Sequence, residues 1–258
     1  SRFWDEVRDT KASVVNFIGM MMQVLAKQTP IAQDLKNDVR LFYGSPSFSP
    51  EFLGDFEKRF GTKVIVGFGL TETCYGTIEN IHQPRRPNSS GSARQHPDPR
   101  FKNSIFIRDD KGAVVNAGEI GEITIKNPTV TPGYWKNKEQ TASSLRNGWL
   151  YTGDLGWMDN DGFIYFVDRK KDVIRRRGEN ISSQQVETVL KRHPEIIDCA
   201  VIAVPSDLGE DEVKAYIIAR PDSTITPTEI VFWCADKLAY FKVPRYIELR
   251  SNLPRTPS

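Results

Sequence analysis

Residues 151–187, YTGDLGWMDNDGFIYFVDRKKDVIRRRGENISSQQVE, constrain this chain more than any other stretch, because three kinds of signal follow one another there. A glycine-rich acidic turn, Tyr151-Thr152-Gly153-Asp154-Leu155-Gly156, leads to the polar turn Asp159-Asn160-Asp161-Gly162. The aromatic and β-branched residues 163–167 then favour a strand. Arg169, Lys170, Lys171, Arg175, Arg176 and Arg177 next put six cations into nine positions, and the run ends at Gly178-Glu179-Asn180. Ser182 with Gln185 fits the capping-box spacing, and Val186, Val189 and Leu190 repeat at helical intervals. In order, the stretch reads as a hydroxyl-seeking acid, a strand, a cationic hinge and a helix.

A chain of 258 residues with 39% hydrophobic content can bury a substantial core, in one large domain and a smaller one. Its net charge of +2 makes any basic patch local and speaks against a nucleic-acid partner. The three cysteines, Cys74, Cys199 and Cys234, are scattered and lack CxxC spacing, which argues against a disulfide framework or a zinc site and for a reducing cytoplasm. Residues 14–26 form an apolar run too short to span a bilayer. They follow Asp5, Glu6 and Asp9, not the cations of a secretory signal. The chain opens on Ser1, so it is expected to begin inside a larger protein.

Along the chain, Phe3, Trp4 and Val7 mark a helix, residues 13–17 a short strand, and the methionine-rich segment after them a second helix. Met20, Met21 and Met22 suit core filling, with a role in an acyl pocket as the alternative. Residues 39–43 read as a buried strand ending in Gly44-Ser45-Pro46. Pro50 suits the first turn of an amphipathic helix that Gly61 ends. Residues 63–66 form another strand, running into Gly67-Phe68-Gly69-Leu70-Thr71-Glu72-Thr73. Strand, helix, strand with short connections predicts a parallel α/β unit, whose ligands sit beyond the carboxyl ends of the strands. Residues 82–100, rich in Pro, Ser and Arg, predict an exposed, mobile loop. Alternation from Ser104 to Ile125 predicts a small antiparallel sheet, and residues 138–145 a helix. Beyond the cationic run, strands at 199–204, 213–219 and 246–249 enclose a helix opened by Thr226-Pro227-Thr228-Glu229 and running to about Tyr240. This last part is a compact α+β unit.

Several of these features carry chemistry with more than one reading. The glycines of GFGLTET serve tight turns as readily as ligands. Backbone N–H groups and the Thr71 hydroxyl can also converge on a phosphate there, with Glu72 holding a magnesium ion. The stretch lacks the third glycine of a dinucleotide fingerprint and the lysine of a phosphate-binding loop. Asp154 can bond its own turn or accept both hydroxyls of a ribose. The cationic run fits a solvated face or a polyphosphate ligand, and fits RNA or DNA least, since no aromatics interleave it. His82, His96 and His193 lie far apart and form no ligand-spaced motif.

The ordered series Gly44-Ser45-Pro46, GFGLTET, GEIGEITIKNPTVTPGYW, GWLYTGDLG, FVDRKKDVIRRRGENISSQQVE and FKVPRYIELRSNLPRTPS resembles the adenylate-forming superfamily of acyl-CoA synthetases, peptide-synthetase adenylation domains and beetle luciferases. The resemblance covers nearly the whole chain, and Gly178-Glu179-Asn180 with Pro254-Arg255 is most similar to acyl-CoA ligases, including the crotonobetaine/carnitine-CoA ligase branch. It implies that residues 1–170 are the carboxyl-terminal portion of a large AMP-binding domain, and 171–258 a small mobile domain cut before its end. Gly44, Ser45, Pro46, Phe68 and Gly69 would line the nucleotide, with Phe68 where the family usually has tyrosine. Thr71 would bind the AMP phosphate, Glu72 the magnesium ion, Asp154 the ribose hydroxyls and Arg169 ribose or phosphate. Lys171 would be the hinge, and Gly178 would approach the pantetheine arm of CoA, with Cys74, Tyr75 and Gly76 as candidate acyl-pocket lining.

The implied reaction is attack of a carboxylate on the α-phosphate of ATP, giving acyl-AMP and pyrophosphate, then attack of the CoA thiol. Expected partners are thus a small carboxylic acid, ATP and CoA. Delivery to a carrier protein and a non-catalytic nucleotide- or polyanion-binding module are the alternatives. The family's Ser/Thr/Gly-rich phosphate loop and final catalytic lysine fall outside these 258 residues, and Glu179-Asn180 replaces an aromatic-basic pair common in relatives. The isolated chain is therefore expected to show no ATP–pyrophosphate exchange.

Overall fold

The computed structural model describes residues 2–45, 48–176, 179–206 and 210–254. Expectations placed on Pro46, Arg177, Gly178 and residues 255–258 lie outside them. The chain divides into two units, residues 1–166 and 167–258, where the sequence suggested a boundary between 170 and 171.

The first unit opens with α1 (Phe3–Asp9), β1 (Val14–Ile18), α2 (Gly19–Lys27), β2 (Leu41–Ser45), α3 (Pro50–Phe60) and β3 (Lys63–Val66). The three strands form a parallel sheet in the order β1-β2-β3, as the strand–helix–strand pattern predicts. Alternation decides which face is covered: Val15, Phe17, Phe42, Val64 and Val66 are buried against Trp4, Met22, Leu25, Leu53, Phe56 and Phe60 of the helices. Trp4 stacks on Phe60 at 4.6 Å and Phe42 meets Phe56 edge-on at 5.2 Å. Burying each such side chain contributes about 1.5–3 kcal/mol. Of the three methionines, Met22 is fully buried in this core and Met20 is 63% exposed, so core filling describes only one of them. The ends of α3 follow the sequence signals. Ser49 Oγ accepts the Phe52 N–H, Pro50 occupies the first turn, and Gly61 takes φ +65°.

Side chains finish the β3 edge of this sheet. The Val64 N–H donates to Glu57 Oε1 at 2.8 Å and the Val66 N–H to Glu79 Oε2 at 2.9 Å. Arg85 donates to Glu57 Oε1 at 2.9 Å and to the Val64 carbonyl. Burial pushes the Glu79 carboxyl up, against the opposing pull of the Val66 N–H and Arg85.

Arg85 belongs to residues 82–100, most of which are exposed as expected, but the segment is pinned at several points rather than free. Arg86 pairs with Asp161 at 2.5 Å and lies 4.8 Å from the Phe163 ring centroid. Ser89 and Ser90 are buried, Ser90 N–H donates to the Ile164 carbonyl and Ile164 N–H to the Gly91 carbonyl. β5 (Ser92–Ala93), inside this segment, pairs with β4 (Thr77–Ile78) ahead of it. Apolar periodicity could not reveal this, because the attachments are polar and mostly to backbone.

β6 (Ser104–Arg108), β7 (Gly121–Lys126), α4 (Lys138–Ser144), β8 (Leu145–Arg146) and β9 (Trp149–Met158) follow, and β10 (Ile164–Arg169) runs from the end of this unit into the start of the next. They form a five-stranded sheet ordered β10-β9-β7-β6, with β8 on β9. Ile105, Ile107, Ile123, Ile125 and Ile164 fill its inner face. The expected turn at 151–156 instead lies inside β9, where the β7 pairing shifts register between Glu122 and Thr124. Gly153 at φ +73° makes that bulge possible.

The second unit is an α+β domain with its own core. β11 (Val173–Arg176) and β12 (Glu179–Ser182) form a hairpin, followed by α5 (Ser183–Lys191), β13 (Ile196–Pro205), β14 (Asp211–Ala219), α6 (Pro227–Ala235), a 3-10 turn (Tyr240–Lys242) and β15 (Tyr246–Leu249). β13 and β14 are antiparallel, β14 and β15 parallel. Ile174, Ile181, Val186, Leu190, Val213 and Ile230 meet in the core. Thr226 and Glu229 close a reciprocal capping box, but α6 ends at Ala235, short of the expected Tyr240. The N–H groups of Lys237 and Leu238 both turn back to the Cys234 carbonyl, a tightened last turn. Among the described residues no helix is long and apolar enough to cross a membrane.

Candidate functional site

β2 and β3 pair with Gly44 opposite Val66, so their carboxyl ends reach one rim. The Gly67 N–H donates to the Gly44 carbonyl at 3.0 Å. Gly44 is required by close approach, since a Cβ there would overlap the Phe17 carbonyl and ring of β1. Ser45 is exposed at the end of β2.

The GFGLTET segment leaves this rim as a compact loop. The Phe68 N–H donates to Thr77 Oγ1 at 2.9 Å, and the Phe68 ring lies 6.4 Å from that of Phe166. Exposed Gly69 passes 3.6 Å, measured from an added Cβ, from the Tyr75–Gly76 backbone. The Thr73 and Cys74 N–H groups both donate to the Leu70 carbonyl, and Thr73 is fully buried. This turn lifts Thr71 into solvent, where its hydroxyl meets no partner among the described residues, and leaves Glu72 half-buried.

A second segment, residues 127–134, holds the loop from outside. Asn127 donates to the Tyr75 carbonyl at 3.1 Å, Thr129 Oγ1 to the Thr73 carbonyl at 2.5 Å, and the Thr131 N–H to the Glu72 carbonyl at 2.7 Å. The Tyr134 hydroxyl then donates to Glu72 Oε1 at 2.9 Å. Burial first, and this bond second, push the Tyr134 phenol above its ordinary pKa. In the sequence Tyr134 stands only as one residue of the GEIGEITIKNPTVTPGYW motif. Its contact with Glu72 spans 62 positions and has no local signature.

Asp154 stands on the β9 bulge and is 6% exposed. Its N–H donates to Thr152 Oγ1 at 3.1 Å, the Gly153 N–H donates to Glu122 Oε1 at 2.9 Å, and Thr152 Oγ1 donates to the Ile123 carbonyl at 2.7 Å. Three bonds thus fix the backbone that carries the carboxylate. Gly44, Ser45, Phe68, Gly69, Thr71 and Glu72 share the rim. Asp154 lies on β9, which pairs with β7, and Ile125 of β7 packs beside Gly76 at the end of the loop.

In the second unit, exposed Arg169 ends β10 and exposed Lys171 lies in the turn that the Asp172 N–H closes on the Arg169 carbonyl at 2.9 Å. Asp168, which sequence did not single out, is 4% exposed and accepts the Arg169 N–H at 2.7 Å and Ser183 Oγ at 3.0 Å. It ties the base of that turn to the start of α5. The cationic run is not uniform. Arg175 is exposed in the hairpin, while Arg176 is buried and pairs with Glu212 at 2.6 Å, which removes it from any ligand-facing set.

A concavity of about 350 Å³ beside β3, lined in part by Glu57, Glu79 and Arg85, contains none of these residues. These three charges are engaged with one another and with the strand backbone. Among the described residues no group of three or more His, Cys, Asp or Glu could hold a metal ion.

Residues 1–135 match the family model of the AMP-binding enzyme, and residues 185–258 that of the AMP-binding enzyme C-terminal domain. The crotonobetaine/carnitine–CoA ligase of Salmonella arizonae is 36% identical over 263 residues, covering 99% of this chain and 49% of the ligase. The protein of the same name from Salmonella typhimurium gives the same figures: 36%, 99% and 49%. Among solved structures, ATP-bound MatB from Rhodopseudomonas palustris superposes with a TM-score of 0.84 at 27% identity, over 98% of this chain and 50% of that one. O-succinylbenzoate coenzyme A synthetase (MenE) from Bacillus subtilis, in complex with ATP and magnesium, also gives 0.84 at 27% identity, over 98% and 51%. The chain spans about half the length of the curated relatives it matches.

Proposed function

Since this chain belongs to the AMP-binding enzyme family, we propose that it is part of an AMP-forming acid–thiol ligase, which converts a carboxylic acid through an acyl-adenylate into a CoA thioester. The observation that carries this reading is the rim: a solvent-facing Thr71 hydroxyl and a Glu72 carboxylate on a loop fixed at the ends of two parallel strands. Thr71 suits an α-phosphate oxygen. Glu72 fits magnesium as a single protein carboxylate, the other ligands coming from phosphates and water, which is how magnesium is commonly held beside nucleotides. When bound, the ion offsets the negative charge that a carboxylate meets on approaching a triphosphate. Gly44, Ser45, Phe68 and Gly69 offer backbone and an aromatic ring to the adenine. Asp154, on its bonded bulge, offers two acceptor oxygens to the ribose hydroxyls. The Phe68 ring, where relatives usually have tyrosine, stacks without adding a hydroxyl.

Residues 1–170 serve as the end of the nucleotide domain and 171–258 as the small domain. Arg169 reaches ribose or phosphate, and Lys171 is the pivot about which the small domain turns between half-reactions. The Asp168 tie to α5 keeps that pivot short. CoA is the acceptor, with Gly178 in the segment that meets its pantetheine arm, and the three thiols suit a reducing cytoplasm.

The test is a carboxylate panel on the full-length protein, following pyrophosphate, AMP and thioester. Acid-dependent exchange with CoA-dependent AMP release is expected. Asp154→Ala should raise the KM for ATP roughly 10- to 100-fold, the loss of one or two hydrogen bonds to a charged group. Exchange without CoA-dependent release would move the reading to a carrier-protein acceptor. No exchange with any acid, or an Asp154→Ala enzyme with unchanged KM, would overturn it.

A further inference from the structure

Four contacts along residues 127–134 run in step with the GFGLTET loop, and the last differs in kind. Asn127, Thr129 and Thr131 reach backbone carbonyls of Tyr75, Thr73 and Glu72, as any structural clasp would. Tyr134 reaches a side chain, the Glu72 carboxylate. Tyr134 is itself held: its N–H donates to Thr141 Oγ1 at 2.9 Å and its carbonyl accepts the Asn137 N–H at 3.1 Å, so α4 fixes the root of the phenol. Gly133 before it takes φ +149°, and an added Cβ would come within 2.7 Å of Thr141, so this packing needs glycine.

We infer that Tyr134 is a positioning residue for Glu72, setting the direction in which its free oxygen, Oε2, is offered to a divalent cation. The inference rests on the nucleotide reading above. A glutamate carboxylate has several rotamers, and holding one of its oxygens fixes the other. Among the described residues no donor reaches Oε2, since every hydrogen bond Glu72 accepts through its side chain goes to Oε1. The chemistry of the donor also matters. Lysine or arginine at this place would orient Glu72 equally well while cancelling the charge that a cation requires. A phenol orients it and leaves the full negative charge in place.

The probe is Mn²⁺, titrated by the loss of its free electron paramagnetic resonance signal on full-length protein saturated with a non-hydrolysable ATP analogue. No turnover is needed. Tyr134→Phe is expected to weaken Mn²⁺ binding by about 10- to 100-fold, the usual effect of removing an outer-shell partner, and Glu72→Gln by at least as much. Thr129→Val, which loosens the clasp without touching Glu72's carboxylate, should lower the melting temperature and leave the Mn²⁺ constant as in the parent. Equal weakening by Thr129→Val and Tyr134→Phe would overturn the inference, as generic loosening. A parental constant in Tyr134→Phe with a weakened one in Glu72→Gln would overturn it and spare the nucleotide reading. A parental constant in Glu72→Gln would remove the metal assignment itself. Should Tyr134→Phe not fold, Thr141→Val releases the Tyr134 backbone from α4 and must shift the constant in the same direction, or the inference fails.

Discussion

Arg176→Met is the substitution whose effect the second unit defines most sharply. The guanidinium is 8% exposed, its Nε sits 2.6 Å from Glu212 Oε2, and its NH1 donates to the Phe241 and Val243 carbonyls at 2.9 and 3.0 Å. Glu212, 5% exposed, has one other cation among the described residues, Arg245, at 3.0 Å from Oε1. Methionine fills much of the same volume but leaves the buried carboxylate with Arg245 alone and strands two carbonyls. Breaking a buried pair from one side costs about 3–5 kcal/mol, a large part of the about 5–15 kcal/mol that holds a domain together. Urea unfolding followed through Trp233, the tryptophan of residues 167–258, measures it. The loss should divide in two. Adding Glu212→Gln removes the under-paired charge and should recover part of it, leaving the carbonyl share of about 1–3 kcal/mol. Arg100→Met, whose partner Asp98 lies beside a side chain 80% exposed, should change stability by less than about 0.5 kcal/mol. A loss under about 1 kcal/mol for Arg176→Met, or no recovery in the double variant, would refute the assignment of Arg176 as a structural cation.

Of the three thiols, Cys74 is exposed and Cys199 and Cys234 buried, so a thiol reagent at pH 8 should titrate one group quickly in the native protein and three in denaturant; two fast groups would contradict the burial. Burial pushes Cys199 up to about 12 and Cys234 up to about 11 from 9.0, so stability should hold below pH 9 and fall between pH 9 and those values, because only the unfolded chain then releases the protons; Cys199→Ser/Cys234→Ser should flatten that limb of a urea-midpoint-versus-pH curve. Phe56→Ala should cost about 3–5 kcal/mol by opening a cavity in the first core, read as a drop in urea midpoint. Gly91→Ala places a Cβ on the Ile78 carbonyl at φ +82°, so tryptic cleavage within 82–100 should quicken, and an unchanged digestion rate would deny the stapling of that loop.

What was legible in sequence was what rests on local spacing. Ser49-Pro50 and Gly61 bracket α3 to the residue, and the Thr226–Glu229 box opens α6, because caps act over three or four positions. The parallel α/β unit, the antiparallel sheet and the closing α+β unit followed from periodicity. Three errors share one cause. The 151–156 segment resembles a turn, since Gly and Asp favour turns, yet pairing with β7 absorbs it as a bulge. Residues 82–100 resemble a free loop, yet polar contacts to Asp161, Ile164 and Thr77 bind them down. The cationic run resembles one surface, yet the hairpin's alternation turns Arg176 inward to Glu212. In each case a partner distant in sequence outweighed local preference.

The candidate site divides along the same line. The groups proposed for the nucleotide, Thr71, Glu72, Asp154 and Arg169, sit in short motifs because each needs only its own turn or bulge to be presented. The groups inferred to aim them, Tyr134 and Asp168, are invisible locally because aiming requires a second element: Thr141 of α4 holds the Tyr134 N–H, and Ser183 at the start of α5 donates to Asp168. On the proposed reading, a carboxylate whose other oxygen is left to a cation and a hinge turn whose base is tied to a helix are both arrangements in which most of the precision comes from residues that touch no ligand. Conservative changes at Tyr134 or Asp168 should therefore alter how tightly or in which conformation the nucleotide is held, whereas changes at Thr71 or Asp154 should remove a contact outright.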